Sequence, residues 1–271
     1  MTRPMLTHVG SLPFLDITTA LEYTFRFDIP VLFSLPILDP NQFMGFDILH
    51  LLDIKSPLAK ENEFELKEHF WESENKIKPY YQDEFLAKAK MKRVEKVKFQ
   101  LIGPYTFYKL QQNSLQQTSF EKIASFLLIK YQEVLKTLTA DISLFFCIDE
   151  PMLSSASFEE ISLVKKFVQD LAKVEGAETA IHCCAKLTLE QLNHLEGIML
   201  NLDTSLYDEA FIERHREFFR FPGIPLQGIK GDLSKICKDA RYVSPSCGLA
   251  LKEVDELAQG FLFDKSNYEK S

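Results

Sequence analysis

Residues 142–184 read ISLFFCIDEPMLSSASFEEISLVKKFVQDLAKVEGAETAIHCC. The stretch opens on an apolar, β-rich run, Ile142–Ile148, that ends on two carboxylates and a proline. Between Phe158 and Ala172, apolar residues Ile161, Val164, Phe167, Val168 and Leu171 recur at helical spacing. A second β-rich run, Thr179–Cys184, closes the unit. Strand, helix and strand in this order imply parallel strands joined by a covering helix.

The same alternation continues in both directions. Further β-rich runs are Met5–Val9, Pro30–Leu35, Val97–Ile102, Ile198–Leu202, Ile224–Ile229 and Arg241–Ser244. Phe120–Leu138 repeats the helical signature, Asp208–Phe219 and Leu251–Phe261 carry weaker versions, and Asp232–Lys238 allows only a short helix. Eight strands alternating with helices predict an α/β fold, a single (β/α)8 TIM-type barrel spanning residues 1–271. A doubly wound open sheet is the rival. It gains nothing from a phosphate motif, because the lone Gly10 in THVGSLP is no dinucleotide fingerprint. No repeat or interdomain linker interrupts the chain. One long, charged stretch separates the second and third runs. It predicts an insertion over about 39–93, with a helix from Gln82 to about Lys92, placed either as a lid near the site or as surface padding. Lys88, Lys90, Lys92, Arg93, Lys96 and Lys98 form a basic cluster there, read as a solvated face or as an anchor for an acidic substrate tail.

A chain of 271 residues can bury a full core, and its net charge of −8 disfavours nucleic acid and anionic membranes as partners. Five cysteines, an odd number in a long chain, do not suit a disulfide framework and fit a reducing compartment. The first residues lack an apolar signal segment, and no apolar run approaches the roughly 20 residues of a membrane helix. A cytoplasmic location is expected.

The chemistry-bearing residues fall at the ends of the strand runs. In Ile181-His182-Cys183-Cys184, strand alternation turns His182 and Cys184 to one face and Cys183 to the other. Cys247 follows the last run in SPSCGL, and Asp203 follows the sixth in NLDTS. Parallel barrel strands all end on one face, so one imidazole, two sulfurs and a carboxylate converge in a donor set suited to Zn2+. Buried cysteines as small hydrophobes and a satisfied core histidine would also account for them. Asp149 and Glu150 end an apolar strand and point to opposite faces, so one can reach the site while the other bonds a neighbour or caps a helix. Gly10 and Ser11 end the first run, where Gly10 lets a ligand approach the backbone and Ser11 offers a hydroxyl. Gly103-Pro104-Tyr105-Thr106 forms a similar turn after the third. Cys147 and Cys237 read as packing residues, and His50, His69, His194 and His215 as surface or helix positions.

These pieces occur together in one known family. THVGSLP resembles the opening THIGSFP of the catalytic barrel of cobalamin-independent methionine synthases. LIGPYTF resembles its GPVT turn, CIDEP its IDEP strand end, IHCCA its H-x-C metal pair, LNLDTS its IETS segment and VSPSCGL its NPDCGL. The likeness spans Thr7 to Leu249 in short motifs, and H-x-C with PxCGL narrows the methionine synthase and uroporphyrinogen decarboxylase superfamily to its zinc-thiol methyltransferase branch.

The resemblance implies a zinc-dependent methyltransferase acting on a small-molecule thiol, homocysteine, to give methionine. It implies His182, Cys184 and Cys247 as metal ligands and Asp203 in place of a glutamate ligand. It also implies Gly10 and Ser11 around the amino-acid part of homocysteine, and Asp149 on its ammonium. Departures are equally specific. The family's full-length members carry a second, N-terminal barrel that this sequence lacks. Leu110 stands where an aromatic residue faces the folate ring, and the DIHSP turn with its acid histidine reads Gln227-Gly228-Ile229-Lys230-Gly231. Lys230, with Tyr105, is left to assist the leaving group. The methyl donor is therefore expected to be something other than folate, such as a corrinoid or a corrinoid protein. A uroporphyrinogen decarboxylase-like lyase and a non-catalytic zinc- or thiol-binding barrel are the alternatives.

Overall fold

Strand β3 (Ser143–Asp149) is buried along all but its first residue, as a parallel strand covered on both faces must be. The computed structural model describes residues 3–39, 42, 80–111, 118–138, 142–225 and 238–249. Within these residues β3 pairs with β2 (Lys96–Ile102) on one side and β4 (Ala177–Cys183) on the other, all parallel. The register sets Ile102 beside Asp149 and Asp149 beside His182. β5 (Met199–Asp203), β6 (Phe221–Ile224), β7 (Tyr242–Pro245) and β1 (Met5–Leu6) continue the sheet in the order β1-β7-β6-β5-β4-β3-β2.

The two edges approach one another across residues 29–34. Ile29 N–H donates to the Leu6 carbonyl at 3.0 Å, and Lys98 N–H donates to the Pro30 carbonyl at 2.8 Å. Leu32 N–H bonds the Lys98 carbonyl at 2.9 Å, and Ser34 N–H bonds the Gly10 carbonyl at 3.1 Å. The result is a curled, all-parallel, seven-stranded sheet, consistent with a TIM-type barrel. The expected strand Pro30–Leu35 enters it only through isolated bridges, Val31 with Lys98 and Ser34 with Ser11.

Helices pack on the outside: α1 (Ile17–Thr24), α2 (Gln82–Met91), α3 (Pro104–Gln111), α4 (Phe120–Leu138), α5 (Phe158–Leu171), α6 (Leu189–His194) and α7 (Glu209–Arg214). α5 starts at Ser157 because the Ser157 hydroxyl and Glu160 carboxylate bond each other's backbone N–H groups. It buries the predicted stripe Ile161, Val164, Phe167, Val168 and Leu171. On α4, Tyr131 is fully buried, and its hydroxyl donates to the Ile102 carbonyl at the end of β2, 2.6 Å away.

The inside of the curl has its own core of Ile29, Phe145, Cys147, Ala180, Phe221 and Tyr242. Phe145 stacks on Tyr242 at 4.7 Å and meets Phe221 at 5.4 Å. At the strands' N-terminal end, Glu178 receives Lys96 Nζ at 2.8 Å, Tyr242 Oη at 2.6 Å and Arg241 Nη1 at 2.7 Å. Lys98 is fully buried one layer higher, its Nζ donating to the His8 carbonyl at 2.8 Å above the Phe221 ring. Thus Lys96 and Lys98, grouped by sequence with a basic surface cluster, are interior side chains. Alternation along β2 turns them inward.

β6 begins earlier than the run Ile224–Ile229 suggested, at Phe221, because Phe221, Pro222 and Gly223 pair in register with Asn201, Leu202 and Asp203. Pro222 and Gly223 read as turn residues and hid the strand. Of the expected insertion, the helix Gln82–Met91 is present, while residues 43–79 lie outside the described residues. So do Lys230, Cys237, His50, His69, the helix Leu251–Phe261 and all of Asp232–Lys238 but its last residue. No helix among the described residues is long and apolar enough to cross a membrane.

Phe167→Ala should cost about 3–5 kcal/mol of stability, since it empties a buried site under α5. Urea denaturation followed by circular dichroism measures it, and an unchanged midpoint would show that α5 does not carry the core.

Candidate metal and thiol site

His182 is the penultimate residue of β4 and Cys184 follows its last, so both project from the strands' C-terminal end. Cys247 comes from the turn after β7. One ligand atom from each of His182, Cys184 and Cys247 lies within 4.8 Å of the other two. In a tetrahedral zinc site with bonds of about 2.0–2.3 Å, ligand atoms stand about 3.5–3.8 Å apart, so the group needs little movement to close on an ion.

The turn bearing Cys247 is held from two sides. Ser246 N–H donates to the Ile224 carbonyl at 3.0 Å, and Leu249 N–H donates to the Ser11 carbonyl at 2.9 Å. Gly223 makes room for it, since a Cβ there would lie 2.9 Å from Ser246 Cα and 3.0 Å from the Leu202 carbonyl oxygen. Cys183 faces away into the main core, fully buried.

The imidazole is fixed by Asn201. Its Nδ2 donates to the Phe221 carbonyl at 3.0 Å and to Ser244 Oγ at 3.0 Å, which leaves Oδ1 as an acceptor for His182 Nδ1 at 2.7 Å. His182 Nδ1 must therefore carry a hydrogen. Nε2 is buried without a hydrogen-bond partner, 3.9 Å from Asp149 Oδ1, which is itself unpartnered. An imidazole oriented through its outer nitrogen, with the inner one presented bare, is the usual dress of a metal-binding histidine. With two thiol sulfurs beside it, the set fits zinc.

Charge in the site is shared. The nearby Cys184 thiol and, after it, the His182 imidazole draw the Cys247 thiol down to about 4. Cys184 is correspondingly pushed up, first by Cys247 and then by burial. For His182, burial pulls downward, yet the nearby Cys247 sulfur and the Asp149 carboxylate outweigh it and hold the imidazole above its ordinary value. Burial raises Asp149 to about 6, against His182 and Lys98, which pull it down.

Glu150, the second carboxylate of the strand end, points the other way. It receives Tyr105 N–H at 2.9 Å, Thr106 N–H at 2.7 Å and the Thr106 hydroxyl at 2.6 Å, and so caps α3. A Cβ at Gly103 would stand 2.1 Å from Glu150 Cδ, so this residue must be glycine for the cap to form. Asp203 is also a cap. Its Oδ1 accepts from Ser205 N–H at 2.9 Å and Ser205 Oγ at 2.7 Å, and it stands apart from the His182–Cys184–Cys247 group. The sequence marked its place at the strand end but not its local bond, which any Asp two residues before a serine can make.

Ser11 is buried and touches the Cys247 turn through its carbonyl, while Gly10 backs onto β2, where a Cβ would come 3.7 Å from Gln100 Cβ. Leu110 packs against the main core from α3. Tyr105 is fully buried with its hydroxyl 3.3 Å from Ser155 Oγ. Lys230 lies outside the described residues. His194 stacks on Phe158, ring centres 4.5 Å apart. Asn201 and Gln100 also stand at the site, and the sequence signal that marks them is a polar residue inside an apolar strand run.

Compared with known families, residues 63–205, more than half of the chain, match the family model described as cobalamin-independent synthase, N-terminal domain. The matched span includes Asp149, His182 and Cys184 and ends before Cys247. A search of curated proteins finds no match.

Cys184→Ser should remove most bound zinc, whereas Cys183→Ser should not. Asn201→Ala should weaken zinc binding about 10–100-fold by freeing the imidazole. Competition with a chromogenic chelator measures all three, and equal losses in the two cysteine variants would overturn the H-x-C register.

Proposed function

Since the chain belongs to the cobalamin-independent synthase family, and so to methionine synthase-like enzymes, we propose that it transfers a methyl group to the sulfur of homocysteine, giving methionine. The proposal places the site on a complete (β/α)8 barrel in which residues 30–35 act as the eighth strand. His182, Cys184 and Cys247 would hold a zinc ion. The observation that carries this is the buried, unpartnered Nε2 of His182, presented by Asn201 toward two sulfurs.

Zinc bound there would stabilise the ionised form of a substrate thiol near neutral pH. The chain's own residues supply the rest. Asp203 would have to abandon Ser205 to reach the metal, so the substrate sulfur is the better fourth ligand. Asp149 holds the substrate ammonium, and burial without a bond to Oδ1 keeps that oxygen available. Ser11 and the Gly10 backbone hold the carboxylate at the rim. The packed walls exclude water and align donor methyl and sulfur, an effect of proximity and orientation. Lys230 is assigned to the leaving group. The donor is a methylated corrinoid rather than a polyglutamylated folate, since no DIHSP-type histidine protonates the departing folate nitrogen.

A barrel that binds zinc and thiol without methyl transfer is the second reading. It is favoured by one finding: the matching family model is that of the N-terminal domain, not the catalytic one.

Purified protein should contain zinc near one per chain and form methionine from homocysteine with methylcobalamin faster than with methylated folates. Zinc without turnover on any donor would select the binding reading, and turnover with folate at least equal to methylcobalamin would reject the corrinoid donor. Asp149→Asn should retain zinc and weaken homocysteine binding by about 1.5–3 kcal/mol, as for a charge-assisted hydrogen bond, read by calorimetry.

A further inference from the structure

Along β2, Lys96 and Lys98 both face the barrel interior, one against the Tyr242 ring and one above that of Phe221. Gln100 comes two residues later on the same face, one layer closer to the site. It pairs in register with Cys147, two residues before Asp149 on the adjacent strand. The backbone of Gly10 packs beside its Cβ. Gln100 thus stands between the Gly10–Ser11 loop and Asp149, below His182.

Its amide is the anomaly. Among the described residues, neither the nitrogen nor the oxygen has a hydrogen-bond partner, although both are buried. Asp149 Oδ1 and His182 Nε2 are in the same condition. A buried amide left unpaired is a standing cost that native interiors rarely carry without a purpose. The lower layers of the same interior show the usual solution, since Lys98 finds the His8 carbonyl and Lys96 finds Glu178. Gln100 has the Asp149 carboxylate for a neighbour and helps to hold it down, yet neither amide atom completes a hydrogen bond there.

We propose that Gln100 is a specificity-determining, substrate-binding residue whose amide, facing Asp149, takes up the charged head of an α-amino acid. The inference rests on the reading above for the sulfur end of that substrate. The chemistry of the three free atoms selects the ligand class. Asp149 Oδ1 and Gln100 Oε1 only accept, so they suit an ammonium group. Gln100 Nε2 only donates, so it suits a carboxylate. A zwitterionic head satisfies all three at once. A thiol bearing a sulfonate or a plain alkyl chain leaves at least the two acceptors unpaired and is disfavoured accordingly.

The test compares the wild-type protein with Gln100→Met, an unbranched apolar side chain of similar reach. Zinc-loaded proteins are titrated with L-homocysteine and with 1-propanethiol by calorimetry. Metal-free proteins are titrated with L-norvaline, which carries a methyl group in place of the thiol, by NMR. The variant should bind homocysteine and norvaline about 10–100-fold more weakly and propanethiol equally well. Its melting temperature should be unchanged or higher, because the substitution removes an unpaired amide, whereas a structural glutamine would lower it. Equal affinity of both proteins for homocysteine and norvaline would overturn the proposal. If Gln100→Met does not fold, Gln100→Glu serves in its place. It keeps the shape but sets a second carboxylate against the substrate's, and the same loss is expected. Norvaline binding that depends on Gln100, with no thiol bound by the zinc form, would uphold the amino-acid pocket and reject thiol methylation.

Discussion

Parallel register across β2, β3 and β4 is the constraint on which the site depends. Once Ile102, Asp149 and His182 are aligned across the sheet, the residues two positions back are aligned too. The interior then builds itself in layers. Lys98, Phe145 and Glu178 share one level, Gln100, Cys147 and Ala180 the next, and Asp149, His182 and Asn201 the one above. A slip of one residue in β3 would turn Asp149 into the outer shell and bring Glu150 inward. The cap on α3 and the contact with His182 would be lost together. One register therefore sets one carboxylate on a helix cap and the other beside the imidazole.

The outer supports serve the same tier. Asn201 spends its amide hydrogens on Phe221 and Ser244, so strands β5, β6 and β7 all bear on the orientation of one imidazole. Glycine appears where a chain must pass unusually close: Gly103 under Glu150 and Gly223 under Ser246. Negative charge gathers at the mouth from Asp149 and Cys247. The His182 imidazole and, less strongly, the buried ammonium of Lys98 partly compensate, so burial lifts Asp149 only to about 6.

Much of this was legible in the sequence. The alternation of runs gave the parallel α/β sheet, and the period-two rule separated Cys183 from Cys184 and Asp149 from Glu150. α4 and α5 follow the apolar spacing almost to the residue, because their buried stripes are strong and α5 opens on a capping box. Four things were hidden. β6 contains a proline and a glycine, which imitate a turn. The inward lysines of β2 look like their exposed neighbours in a charged segment, since nothing local marks a residue that alternates into a barrel. Asp203 occupies a strand end that could hold a ligand, and only the local geometry shows it bonded to Ser205. Asn201 acts through partners on other strands, and sequence spacing carries no trace of those pairings.

The aromatic layer has a kinetic meaning. Phe145, Phe221 and Tyr242 pack on one another inside the curl, with the Glu178 cluster beside them at the N-terminal end. Among the described residues, access to the polar tier from the strands' N-terminal side is therefore obstructed, so a molecule reaching Gln100 would come in over the C-terminal ends, and the deeper of two such molecules would have to leave after the shallower one.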